Sequence, residues 1–305
     1  LQLKPKITIL DLNFGNLSDT IAAFLIQADG ELALVETGPY STYPILKQAI
    51  ENQGFKIEDI KKIFLTHIHF DHAGAAWAFA QHGAKIYVHP AGEKHLANPT
   101  KLYNSAKMIY GDAMETLWGR MEDIPLEDLH VTQHGEKIAL GNSGHQMTAW
   151  HTPGHAVHHI VWQFENDILF AGDVAGVSID KQMAVPPCPP PDINIQAWRE
   201  SIQLIRELRV KKMYLTHYGI ISNPLTYLTA FEKTLVKWGN WMKPHVTRCT
   251  PVEVITPMFQ EWVAMDLARH GITDELAKRY ETSNPAWMSV AGLMRYWKKQ
   301  LKPAS

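Results

Sequence analysis

The stretch Thr66–Gly74 reads THIHFDHAG and sets three imidazoles and a carboxylate, His67, His69, Asp71 and His72, within six residues. Imidazole nitrogen and carboxylate oxygen are donors that suit Zn, Mn or Fe. The apolar run Ile63-Phe64-Leu65 comes just before. It predicts a strand end at which His67 and His69, two residues apart, face the same way. Asp71 and His72 then fall at the start of a helix whose body is Ala75-Ala76-Trp77-Ala78-Phe79-Ala80. Four ligand-type side chains in that arrangement can converge on one small volume.

Their partners are spread along the chain. His155 ends His151-Thr152-Pro153-Gly154-His155, where Pro and Gly force a sharp turn after the alternation of Met147 to Trp150. Asp173 follows the apolar run Ile168-Leu169-Phe170-Ala171-Gly172, and His217 closes Lys212-Met213-Tyr214-Leu215-Thr216. Each candidate ligand therefore sits at the C-terminal end of a strand or in the turn beyond it. A rigid sheet holds such residues while their heads reach a shared cleft.

With these four pieces in order, H-x-H-x-D-H, T-P-G-H, G-D after a strand and L-T-H at a later strand end, the chain resembles the metallo-β-lactamase-fold hydrolase superfamily over about residues 7–220. The resemblance implies an α/β fold, an αββα sandwich of two mixed β-sheets flanked by helices, with the site along one edge of the sheets. It also implies two divalent metal ions, Zn first, with Fe or Mn as alternatives. One ion would take His67, His69 and His155, the other Asp71, His72 and His217, and Asp173 would bridge them. The wording is similar to glyoxalase II and lactonase-like members, in a bacterial and archaeal branch. One departure is Glu36-Thr37-Gly38, where family members commonly carry Asp-x-Gly. That carboxylate normally orients a ligand histidine, and Glu36 is one methylene longer.

A hydroxide bridging two cations is a nucleophile near pH 7, and a cation polarises a carbonyl and stabilises its oxyanion. Asp71 would take and return the proton during turnover. Tyr218, next to His217, is read either as a donor to that oxyanion or as an ordinary structural tyrosine. The expected activity is dinuclear metal-dependent hydrolysis of an ester, thioester or lactone. A mononuclear non-haem iron sulfur dioxygenase of the same fold is the rival reading, with Asp71, His72 and His217 off the metal. A non-catalytic metal-binding relative is the third.

Composition is that of an ordinary globular chain, with 305 residues, 46% hydrophobic, 20% charged and net charge −2. The near-neutral balance argues against a nucleic-acid groove, which needs clustered Lys and Arg. No apolar stretch is long enough for a membrane span, and Leu1 to Leu12 lacks the apolar core of a signal peptide. Cys188 and Cys249 read as two reduced thiols of a cytoplasmic protein. A small-molecule substrate is expected, with neither nucleic acid nor membrane as partner.

Strands are expected at Ile7–Leu10, Ala22–Gln27 and Glu31–Glu36, with Ala28-Asp29-Gly30 as the hairpin turn between the last two. A helix over Tyr43–Gln53, a strand over Lys62–Thr66, a helix to His82 and a strand over Lys85–His89 follow. Residues 91–129 read as a substrate-side lid with short helical pieces around Tyr103–Tyr110 and Met114–Trp118. Further strands are read at Lys137–Leu140, Gln146–Trp150, His159–Phe164 and Asp167–Phe170. His158 and His159, taken as strand neighbours, would face opposite ways, and His89 could back a ligand. The proline-rich loop Val185–Asp192 would wall the cleft and lead, through Asp192 as N-cap, into a helix over Ile193–Leu208. The chain divides into a catalytic segment, 1–223, and a C-terminal helical extension, 224–305. In the extension Thr250-Pro251-Val252-Glu253 reads as a capping box, Thr273 as an N-cap and Asn284-Pro285 as the start of the last helix. Five of the ten tryptophans lie there. They form either a core face against the sandwich or a substrate or homodimer surface.

Overall fold

The computed structural model describes residues 4–179 and 183–301. The extreme ends of the segments 1–223 and 224–305, with the start of the Leu1–Leu12 stretch, lie outside the described residues. Among these, two six-stranded sheets stack face to face. The first runs in chain order through β1 (Lys6–Asp11), β2 (Ala22–Ala28), β3 (Glu31–Val35), β4 (Ile60–Phe64), β5 (Lys85–Val88) and β6 (Leu129–Val131). It is antiparallel up to β3 and parallel from there on. The second contains β7 (Lys137–Leu140), β8 (His145–His151), β9 (Ile160–Phe164), β10 (Ile168–Phe170), β11 (Lys212–Leu215) and β12 (Gly219–Ile221), also side by side in chain order. Within it β10 and β11 are parallel and the other pairs antiparallel.

The β2–β3 hairpin turns on Asp29 and Gly30, both with positive φ, the backbone that a two-residue turn needs to match strand twist. Large side chains fill the space between the sheets. Phe24 meets Phe170 and Tyr214 at 5.3 and 5.6 Å between ring centroids, and Phe64 meets Trp162 at 4.9 Å. All five belong to one buried cluster, where each fully buried phenylalanine contributes roughly 1.5–3 kcal/mol of transfer free energy.

Helices cover both outer faces, which makes the αββα sandwich expected from the sequence. On the first sheet lie α1 (Tyr43–Glu51), α2 (Phe70–Ala73) and α3 (Ala76–Ala80). An insert of three helices, α4 (Pro90–Ala97), α5 (Thr100–Tyr110) and α6 (Ala113–Trp118), occupies most of the stretch read as a lid with short helical pieces. On the second sheet lie α7 (Ile195–Glu207), α8 (Pro224–Thr247), α9 (Val252–Arg269), α10 (Asp274–Ser283) and α11 (Ala286–Gln300).

Two helix starts differ from expectation. The N-cap of α7 is Asn194, whose side chain accepts from Ala197 N–H, because Asp192 is still in the preceding turn. Thr250 does not cap α9; its backbone N–H closes α8 on the His245 carbonyl, and Pro251 precedes the helix without a side-chain cap. Thr273 does cap α10.

The tryptophans of the extension divide between the two readings. Trp238 is fully buried, and Trp241, Trp262 and Trp297 pack on the same core. Trp287 is exposed. Both cysteines are free, Cys188 buried and Cys249 exposed. No helix of the described residues is long and apolar enough to cross a membrane.

Candidate metal centre

Strand β4 stops at Phe64, so His67 and His69 stand in the loop beyond the strand rather than on it. The loop turns at once into α2, which carries Asp71 and His72 in a single short turn. His155 follows β8, Asp173 follows β10 and His217 follows β11. All seven side chains meet at one edge of the two sheets. Three sets of potential ligand atoms lie within 4.8 Å of one another, His67/His69/His155, His67/His72/Asp173 and Asp71/His72/His217.

In the first set His69 Nδ1 is 2.9 Å from His67 Nε2 and 3.1 Å from His155 Nε2. Asp71 Oδ2 is 3.6 Å from His72 Nε2 and 3.4 Å from His217 Nε2. Asp173 spans both: Oδ2 is 3.4 Å from His155 Nε2, while Oδ1 is 3.3 Å from His72 Nε2 and 3.6 Å from His217 Nε2. Four donors about 2.1 Å from a tetrahedral ion stand roughly 3.4 Å apart. The observed separations cluster around that value.

The far nitrogen of four of these rings is engaged by the fold. His155 Nδ1 donates to the Pro187 carbonyl at 2.8 Å and His217 Nδ1 to the Thr20 carbonyl at 2.7 Å. His72 Nδ1 is 2.9 Å from Glu36 Oε1, and His67 Nδ1 is 3.0 Å from Thr66 Oγ1. A carbonyl can only accept, so the ring proton of His155 and of His217 sits on Nδ1 and Nε2 is left as an inward lone pair.

Glu36 is the hub of this outer layer. Its buried carboxylate accepts from the Thr66 N–H and hydroxyl and from the Thr216 hydroxyl, besides His72. The longer side chain thus keeps the orienting role, from a residue held at φ 64°.

Electrostatics split the cluster. Burial, with His72, His69 and His155 alongside, holds His67 well below the usual imidazole range. Burial and His155 lower His69 to about 3, and burial lowers His155. His72 and His217 go the other way. Burial lowers both, but it is outweighed at His72 by Asp71, Asp173 and Glu36, and at His217 by Asp173 and Asp71. Asp71 and Asp173 are in turn depressed: burial raises them and the facing imidazoles win. Even so, His72 Nε2, His217 Nε2 and Asp173 Oδ1 are buried without a hydrogen-bond partner. Each such atom costs about 1–3 kcal/mol. Two imidazole nitrogens and a carboxylate oxygen of this kind, converging beside Asp71, are what divalent cations satisfy, so the donor set fits the expected ions.

The turn bearing Asp173 is shaped by Gly172 and His159. Gly172 has φ 49°, and a Cβ there would stand 2.6 Å from Thr66 Oγ1 and 2.8 Å from His159 Nε2. His159 Nε2 accepts from the Asp173 and Val174 N–H groups, while its Nδ1 is 2.9 Å from Thr152 Oγ1. His158 accepts from the Ile68 N–H and stacks 6.1 Å from His67. Both imidazoles therefore back the site, contrary to the alternation expected of strand neighbours, because β9 begins only at Ile160. His89 caps α4 and packs on His151 at 4.3 Å, and neither belongs to the three ligand sets.

Tyr218 corresponds to the second of its two readings, a structural tyrosine. Its hydroxyl is hydrogen-bonded to Asp19, and burial together with Asp11 and Asp19 raises its pKa. The phenol that senses the centre is Tyr110, raised by burial and then by the charge of Asp71. Sequence reasoning passed over it because nothing local links the end of α5 to residue 71.

The C-terminal extension reaches the ligand-bearing loops directly. Asn284 Nδ2 donates to the Pro186 carbonyl, Ser289 Oγ donates to Asn284 Oδ1, and the Cys188 N–H donates to Ser289 Oγ. The same loop supplies the Pro187 carbonyl that holds His155. Ser283 Oγ donates to the Thr20 carbonyl, which also holds His217.

Comparison with known proteins agrees with this fold. The sequence profile described as "Metallo-beta-lactamase superfamily" matches residues 19–217, a span containing all seven side chains. The chain is 31% identical over 170 residues to the metallo-beta-lactamase fold-containing protein ST1585 of Sulfurisphaera tokodaii, covering 54% of this chain and 63% of that protein. It is 29% identical over 189 residues to the acyl-coenzyme A thioesterase MBLAC2 of Gallus gallus, covering 54% and 59%. The matched stretch thus spans less than two thirds of either relative. Among solved structures, TTHA1429 of Thermus thermophilus superposes with a TM-score of 0.67 at 18% identity, over 97% of this chain and 93% of that one, a likeness of fold.

Proposed function

The chain belongs to the metallo-β-lactamase superfamily, and we propose that it is a metal-dependent hydrolase of ester, thioester or lactone bonds with a two-ion centre. The observation that carries this reading is Asp173, whose two oxygens face two different sets of imidazoles, His155 on one side and His72 with His217 on the other. We assign His67, His69 and His155 to one ion, Asp71, His72 and His217 to the other, and Asp173 to both. Zn fits the mixed nitrogen and oxygen set best. Bound ions supply a water activated at neutral pH and a Lewis acid for the substrate carbonyl.

The protein's own part is to aim donors and manage protons. Asp71 is more open to solvent than Asp173, with 19% of its side chain exposed against 5%. Its Oδ2 faces His72 and His217, which leaves Oδ1 to take a proton from the attacking water and return it to the leaving group. The mononuclear dioxygenase reading would leave His72 Nε2 and His217 Nε2 buried with neither ion nor hydrogen-bond partner. The thioesterase among the relatives supports placing thioesters in the substrate panel.

The test is metal analysis of protein purified without added metal, followed by turnover of lactones, thioesters and aryl esters. About two equivalents of Zn or Mn with turnover of one class supports the reading. One equivalent of iron, with oxygen uptake on a persulfide, overturns it.

A further inference from the structure

Of the seven side chains in the centre, only His69 and Asp71 are more than marginally open to solvent. A substrate therefore enters on their side. Phe70, between them in the chain, packs against Trp118 and Tyr103 of the helical insert, each 6.1 Å away. Trp118 stacks in turn on Phe14 at 5.3 Å, so this wall is anchored in the sandwich.

Tyr110 ends α5 above that wall. Its ring stands edge-on to Trp118 at 5.3 Å and to Trp287 at 6.0 Å. Trp287 is carried by the first turn of α11, between Asn284 and Ser289, the two side chains tied to the loop that orients His155. It is 37% exposed, whereas Met288, Val290 and Leu293 beside it are buried. Met108 and Ile109, next to Tyr110, are exposed as well. Large apolar side chains left open beside a polar centre mark a place where something apolar is meant to lie.

We propose that Tyr110 and Trp287 form the subsite that grips an apolar acyl group of the substrate while its carbonyl lies at the metal centre. This rests on the hydrolase reading and names the class of substrate within it. Two flat rings in edge-on contact present one apolar surface along which a hydrocarbon chain or ring can lie. The Tyr110 hydroxyl and the Trp287 indole N–H are the polar groups of the pair. The last helix of the extension is then part of substrate recognition, and the chemistry is selected by acyl length.

The test uses the metal-loaded protein with acetyl, butyryl and octanoyl esters and thioesters, and with acetate and octanoate as product-like ligands that need no turnover. In the wild type kcat/KM rises from acetyl to octanoyl, and octanoate binds more tightly than acetate. Trp287→Ala reduces the octanoyl-to-acetyl ratio, and the octanoate-to-acetate affinity ratio, by roughly tenfold, as expected for a few methylenes losing their apolar contact. Trp287→Leu, which keeps apolar bulk, falls between, and Tyr110→Phe, which keeps the ring, leaves both ratios near the wild-type values. Val254→Ala, on the far helix α9, leaves both ratios alone. Metal content is measured for every variant. Ratios unchanged in Trp287→Ala at full metal content, or a wild type indifferent to acyl length, overturn the proposal. Absence of any turnover defeats the hydrolase reading, and octanoate affinity still decides the subsite.

Discussion

Glu36 Oε1 lies 2.9 Å from His72 Nδ1, inside a completely buried cage that the same carboxylate builds with Thr66 and Thr216. A buried carboxylate at that ring fixes its orientation and raises the basicity of the opposite nitrogen. Replacing Glu36 by Gln keeps the size and removes the charge. Metal affinity, read by titration against a coloured chelator, should fall roughly 10- to 100-fold. An unchanged affinity would show that Glu36 only fills space.

Asp173 touches both halves of the centre, so its loss should cost one ion rather than merely loosen two. Asp173→Asn is expected to lower the metal content from about two equivalents to about one, with turnover down by more than roughly 100-fold. Atomic emission and kinetics on one preparation check both. Retention of two tightly held ions would refute the bridging assignment.

His158 and His159 are buried, and burial with the neighbouring imidazoles holds both well below the usual value of 6.5. In the unfolded chain they take up protons near pH 6.5, while the folded protein does not. Their contribution is therefore complete above that pH and is lost as the pH falls below it. Each neutral imidazole removes up to about 1.4 kcal/mol per pH unit. His72 and His217, raised in the fold, act in the opposite sense, present below 6.5 and lost above it, but the lowered imidazoles outnumber them. The urea midpoint of metal-free protein should drop steeply between pH 6.5 and 5. A flat profile would contradict neutral burial.

Asn284 joins the extension to the loop behind His155. Asn284→Ala leaves the Pro186 carbonyl without this donor and the Ser289 O–H without its acceptor, at a cost of about 1–3 kcal/mol for each. Chemical denaturation measures that loss. Asn284→Asp, which keeps only the acceptor for Ser289, should recover part of it. Metal affinity should weaken in parallel, since the adjacent carbonyl of Pro187 positions His155.

Much of the candidate centre was legible because its residues announce themselves locally. His67, His69, Asp71 and His72 share one short motif, Asp173 and His217 each follow an apolar run readable as a strand, and His155 ends the Pro-Gly turn after an alternating one. The hairpin at Asp29-Gly30 was readable for the same reason, since two residues with positive φ suffice to close it. The hidden parts depend on contacts between distant segments. Nothing near Tyr110 announces Asp71 or Trp287, so attention went to Tyr218, the phenol adjacent to a ligand. His159 was misread because its role is set by where β9 begins, and helix or strand ends are the least determined part of any local pattern. Thr250 carried a convincing capping signature, yet its N–H was already committed to the helix behind it.

The ties from Ser283, Asn284 and Ser289 to the loops behind His217 and His155 have a consequence for how the protein is made. A ribosome delivers the chain from its N-terminus, and domains begin to organise as they emerge. All seven candidate ligands have been synthesised before the helices that brace two of them exist. The contacts that brace those two loops are thus the last around the candidate centre to form.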